Sequence, residues 1–139
     1  MPGKKFTDFE EVRRTISTLT DKVAGEKKGI VDKPIVLQIY SPTCPDLTVI
    51  DLPGITRIPL AGSDQPKNIE QITREMAERY MKNPRTIILC VIPANADMTT
   101  SDALQMAGNL DPKGIRTIGV ITKIDIMDRG TNAKRMIMG

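Results

Sequence analysis

Phe9, Val12, Ile16, Leu19 and Val23 recur at intervals of three and four, the stripe of an amphipathic helix. Thr7-Asp8-Phe9-Glu10 has the spacing of a capping box at its start, and Gly25 can end it in a left-handed conformation. The pattern then changes period. Ile35 to Tyr40 predicts a strand with Pro34 at its first position, and Leu47 to Asp51 predicts a second. Only Ser41 to Asp46 lies between them, with Pro42 and Pro45, so the two are expected to form an antiparallel hairpin; a parallel crossover needs a dozen or more residues.

Leu52 to Lys67 is a long polar, Gly- and Pro-bearing loop. Asn68 can cap a helix carrying Ile69, Ile72, Met76 and Tyr80, which Asn83-Pro84 closes. The apolar run Thr86 to Pro93 predicts a strand covered on both faces. Thr100 or Ser101 opens a shorter helix through Leu110, Arg116 to Thr122 predicts another buried strand, and a further helix starts at Thr131. Helix, hairpin, then alternating helix and strand is an α/β layout with a mostly parallel sheet. There are no internal repeats or low-complexity segments.

The chain has 139 residues, enough for one domain and one core. Lys and Arg total 20 against 17 Asp and Glu, and the resulting charge of +3 is too mild and too evenly spread to indicate nucleic acid or a membrane surface. Phe6, Phe9, Tyr40 and Tyr80 are the only aromatics, too few for a base-stacking platform. The chain has no histidine, which excludes Ser-His-Asp and Cys-His nucleophiles, His-ligated zinc and imidazole acid–base chemistry. Cys44 and Cys90 are far apart and form no metal-ligand spacing; Cys90, inside Ile87 to Ile92, is expected in the core, and Cys44 as a reduced loop thiol. No signal peptide and no apolar stretch of membrane-spanning length is visible, so a reducing cytoplasmic setting is expected.

Ligands of open α/β sheets bind beyond the carboxyl ends of the strands, and two segments stand there. Asp51-Leu52-Pro53-Gly54 follows Leu47 to Ile50, and Thr122-Lys123-Ile124-Asp125 follows Ile118 to Ile121. A carboxylate at the first place can reach a magnesium ion through water, because Mg²⁺ keeps part of its hydration shell. Gly54, without a Cβ, lets a backbone N–H approach a phosphate oxygen. Asp125 can accept two parallel N–H bonds from guanine, which adenine does not offer, while the stem of Lys123 lies over the base. Asp-x-x-Gly alone is common in ordinary turns, and Thr-Lys-x-Asp alone also suits a polar turn. Their order and placement at two strand ends give the pair its meaning: two acidic side chains are expected at neighbouring strand tips, facing one pocket for a purine nucleotide and its metal.

Longer stretches carry a more specific likeness. Gly3-Lys4-Lys5-Phe6-Thr7-Asp8-Phe9-Glu10-Glu11-Val12-Arg13, Asp51-Leu52-Pro53-Gly54-Ile55-Thr56-Arg57, Asp64-Gln65-Pro66, Pro93-Ala94-Asn95, Ser101-Asp102-Ala103-Leu104 and Arg116 to Lys123 closely resemble the GTPase domain of the dynamin family, over nearly the whole chain. The resemblance implies a Ras-like, P-loop GTPase fold and a large self-assembling GTPase that remodels or severs membranes. It implies GTP or GDP and Mg²⁺ as ligands, with Asp51 and Gly54 in the magnesium and γ-phosphate switch and Asp51 holding the ion through water. Thr122, Lys123 and Asp125 would form the guanine loop, and Asp128 falls where the family reaches the nucleotide across a dimer of GTPase domains. Homo-oligomerisation through that dimer and a cytoplasmic location peripheral to membranes follow from the same likeness.

The sequence also departs from the family. No Gly-x-x-x-x-Gly-Lys-Ser/Thr string exists; Gly3-Lys4-Lys5 and Gly25 to Gly29 have the wrong spacing and lack the hydroxyl. The loop around Ala61-Gly62-Ser63 is slightly longer than the family's usual text, and Ile124 stands for the commoner leucine. Residues 1–139 are therefore expected to be a partial GTPase domain, without the phosphate-loop strand, the last guanine-binding loop or a stalk, and inactive alone. Contact with a membrane would come from regions absent here. A second reading is a non-catalytic interaction or assembly module that pairs with other GTPase domains. A third, an unrelated phosphate-accepting α/β domain using Asp51, would need more acids near it than Asp46.

Overall fold

The computed structural model describes residues 4–25, 29–59, 61–62, 65–127 and 137–138. The chain forms two compact units, Met1–Thr73 and Arg74–Gly139.

Helix α1, Phe9–Ala24, dominates the first unit. Its cap is Asp8 rather than Thr7: the Asp8 carboxylate accepts the Glu10 N–H at 3.0 Å, and Glu10 and Glu11 favour the positive end of the helix dipole. Lys4 ties the preceding residues down through a 2.8 Å ion pair with Glu11 and sits 4.6 Å from the centre of the Phe6 ring. Gly25 ends the helix where the sequence predicts, but at φ 75° and ψ 168° rather than in the left-handed helical conformation, with its N–H on the Asp21 carbonyl at 2.9 Å. No residue of α1 is buried, so caps and end charges carry much of its local stability. Asp8→Ala is expected to cost about 1 kcal/mol, read as a lower thermal midpoint and as faster hydrogen exchange at Glu10.

The expected hairpin does not form. Residues 31–51 are exposed throughout and enter no strand ladder. Local bonds shape the connection instead, the Cys44 N–H reaching the Ser41 carbonyl at 3.3 Å. Ile35-Val36-Leu37 places apolar side chains on both faces of any strand, so this pair needs cover from two sides. A lone two-stranded hairpin is marginal in water, and Pro34, Pro42 and Pro45 contribute no N–H donors.

The unit boundary falls within helix α2, Ile69–Met81. Ile69, Thr73, Met76 and Ala77 are its buried positions, and Thr73 satisfies its hydroxyl on the Ile69 and Glu70 carbonyls, both at 3.0 Å. In the second unit, strand β1 (Ile88–Pro93), helix α3 (Asp102–Leu110) and strand β2 (Thr117–Thr122) follow in order. Ser101 caps α3 as expected, accepting the Leu104 N–H, and Asp111 ends it. The strands are parallel, in a register running from Ile88 opposite Thr117 to Pro93 opposite Thr122.

Among the described residues the sheet has these two strands and is covered on one face only, not two. Ile88 and Cys90 pack with Ala107, supported by Met81, Ala103 and Leu104. Cys90 is 2% exposed, burial pushes its thiol pKa up, and its Sγ–H points to the Ala103 carbonyl at 3.5 Å. On the other face Leu89, Val91 and Ile118 are exposed. The continuous apolar run thus hides an alternation between a face under α3 and an open face. The Arg74 guanidinium joins α2 to α3 through a 2.6 Å bond to Asp102. Among the described residues no helix is long and apolar enough to cross a membrane.

Candidate functional site

The strand-end loop after β2 forms through a sharp change of backbone. Thr122 is pinned to the neighbouring strand: its carbonyl accepts the Ala94 N–H at 2.7 Å, and its hydroxyl lies 3.5 Å from the Ile92 carbonyl as donor. Lys123 then adopts φ 56° and ψ 39°, the left-handed region, and a single 3-10 turn, Ile124–Ile126, follows. The Ile126 N–H closes on the Lys123 carbonyl at 3.3 Å. Asp125 therefore stands on a short turn directly beyond the carboxyl end of β2, exposed like Lys123. The parallel register sets Pro93-Ala94, the exit of β1, beside this loop.

A clamp that the sequence did not single out fixes the opposite end of β2. The Asp111 carboxylate is buried at 9% exposure and accepts from the Thr117 hydroxyl at 2.7 Å, the Arg116 N–H at 3.0 Å and the Ile115 N–H at 3.2 Å. Thr117's hydroxyl is the chief cause that holds this carboxyl below the ordinary aspartate range, against the opposing effect of burial. The Arg116 guanidinium donates to the Thr86 carbonyl at 3.0 Å and the Leu110 carbonyl at 2.9 Å, joining the start of β2 to the approach of β1. The signal was present in Asp111-Pro112-Lys113-Gly114, an Asp-led turn before a strand with Gly114 at φ 63°.

Asp51 and Gly54 lie in the first unit, both exposed, Asp51 at the end of an extended segment that makes no ladder. The Thr56 hydroxyl donates to the Gly54 carbonyl at 3.3 Å, a local turn, and nothing lies within 4 Å of where a Gly54 Cβ would stand. Any need for glycine there would come from an approaching ligand. Asp51 and Asp125 belong to different units, and Asp128 lies outside the described residues. Among the described residues no group of three or more His, Cys, Asp or Glu could hold a metal ion. A magnesium ion on Asp51 would take one carboxylate, its own waters and phosphate oxygens, a donor set that Mg²⁺ accepts without a protein cage. Asp97 at the start of the 3-10 turn Met98–Thr100 accepts from the Thr99 N–H at 2.9 Å and hydroxyl at 2.8 Å, which lowers its pKa.

A sequence model of the dynamin family matches residues 2–124. The chain is 53% identical over 138 residues to dynamin-related protein 3B of Arabidopsis thaliana, covering 99% of this chain and 17% of that protein. It is 51% identical over 137 residues to dynamin-1-like protein of Danio rerio, covering 99% of this chain and 20% of that protein. Against human dynamin-3 it is 53% identical over 135 residues, 97% of this chain and 15% of that protein. The chain thus spans a fifth or less of the length of these relatives, and the family match takes in Asp51 to Gly54 and the loop after β2 up to Ile124. The chain belongs to the dynamin family.

Proposed function

We propose that residues 1–139 are the part of a GTPase domain that supplies its switch segment and its guanine loop, in a protein that binds and hydrolyses GTP and uses the cycle to remodel membranes. The observation that carries the reading is the Thr122-Lys123-Ile124-Asp125 loop, turned sharply off the end of a parallel strand in a chain of this family. Asp125 reads guanine, Lys123 covers the base, and Thr122 anchors the loop to the sheet. Asp51 holds Mg²⁺ through water and Gly54 opens its N–H to the γ-phosphate; the ion, when bound, screens the phosphate charge that builds during transfer. Asp128 contributes across a dimer of GTPase domains, and membrane contact, on the cytoplasmic side, belongs to other regions of the protein. The phosphate cradle also comes from outside this chain, which is why the isolated chain is inactive.

Turnover separates these statements. The full-length protein is expected to hydrolyse GTP, and not ATP, in a Mg²⁺-dependent manner, and the 139-residue chain alone no faster than buffer. Hydrolysis by the full-length protein that ignores the base would refute the guanine reading, and Mg²⁺-dependent turnover by the isolated chain would refute the division of labour.

A further inference from the structure

Lys123 is the one non-glycine residue among those described with a positive φ. Lysine is an expensive choice for the left-handed region, which glycine enters freely and asparagine tolerates. Among the described residues its side chain caps nothing and makes no ion pair. A residue kept in a disfavoured conformation by backbone bonds, its side chain adding none among the described residues, points to a role outside the fold.

The geometry points to the left-handed backbone of Lys123, beyond its side chain, as the positioning device for guanine selection; this rests on the guanine reading of the loop proposed above. Thr122 is fixed by the Ala94 N–H on one side and belongs to the ladder. With extended dihedrals at Lys123 the chain would continue along the β2 direction and carry Asp125 away from the strand tip. The left-handed step reverses that course within one residue, and the Ile126 N–H to Lys123 carbonyl bond then holds the turn. Lysine at this place serves two demands that glycine cannot meet together: the bend, and a stem over the base.

The two contributions separate in variants that lack the stem. Lys123→Gly keeps the bend without strain, whereas Lys123→Val opposes it, because β-branched residues are poorest in the left-handed region. In the full-length protein with Mg²⁺, titration with fluorescent GDP and ADP is expected to show K123G binding GDP about ten-fold tighter than K123V, with the GDP-to-ADP preference falling in K123V. If the stem alone mattered, valine, with the larger apolar body, would bind as well as glycine or better, and that result overturns the inference. Should K123V not fold, Lys123→Asn against Lys123→Ala makes the same comparison, with asparagine expected tighter and equal affinities overturning it. Asp125→Asn is the control: if GDP affinity is unchanged there, the guanine reading itself fails and this inference with it, whereas a loss there beside equal Gly and Val variants sinks the inference alone.

Discussion

Substituting Asp125 by asparagine in the full-length protein is expected to weaken GDP binding by about two orders of magnitude and to move preference toward xanthine nucleotides. The carboxylate accepts from both the ring N–H and the exocyclic amine of guanine. Hydrogen bonds to a charged group contribute about 1.5–3 kcal/mol each, and about 1.4 kcal/mol is a factor of ten. Asparagine keeps one acceptor but turns an N–H₂ toward the guanine amine, so one bond is lost and a donor–donor clash is added. Xanthine carries a carbonyl in place of that amine, and the amide matches it. Because Asp125 is exposed on a three-residue turn, the exchange leaves the core around Ile88, Cys90 and Ala107 untouched. Competition titration with GDP and XDP reads the outcome. Unchanged GDP affinity with a loss of self-association would instead favour the assembly-module reading.

The second large effect lies at the other end of the same strand. Arg116→Ala is expected to destabilise the second unit by about 3 kcal/mol, because it leaves the Thr86 and Leu110 carbonyls without their charged donor. Asp111→Asn is expected to lower the thermal midpoint as well, since the amide cannot serve the Thr117 hydroxyl and two N–H groups as the carboxylate does. The sign of the pH dependence follows from Asp111. Its folded-state pKa lies below the unfolded value, so its contribution is fully present above the unfolded value, near 4, and is lost as the pH falls through the folded one. Acid should therefore lower the midpoint of the wild-type chain by more than that of Asp111→Asn. Parallel pH series of thermal melts test this, and equal acid sensitivity of the two would show that the carboxylate is not the titrating clamp.

How much of this was legible beforehand differs by element. α1 and α2 announced themselves through periodic apolar positions, α3 through its polar start at Ser101, and the parallel strands through short apolar runs. The cap of α1 moved by one residue because Asp8 stands nearer the first free N–H groups than Thr7. Strand-like composition at 35–40 and 47–51 was misleading because a strand is made by its neighbours: apolar residues alone do not supply a ladder partner. The same reason defeated the two-sided burial expected of β1, whose alternate side chains are exposed although every residue in it looks fit for a core. At the site, the identities of Lys123 and Asp125 could be read from their place after an apolar strand, but the left-handed step between them could not, since lysine carries no compositional mark of positive φ. The Asp111–Arg116–Thr117 clamp was hidden because ordinary turn residues make it.

The β1–α3–β2 arrangement has a consequence for how the chain acquires its structure. The two paired strands are neighbours in the order of elements, with one helix between them and both strands in a single register. Each residue of the ladder lies about 29 positions from its partner, so the chain must lose the entropy of closing that loop before the strands can pair. The ladder is therefore expected to gain exchange protection only in a later phase of refolding, after the local helices, while residues 31–51 still exchange freely.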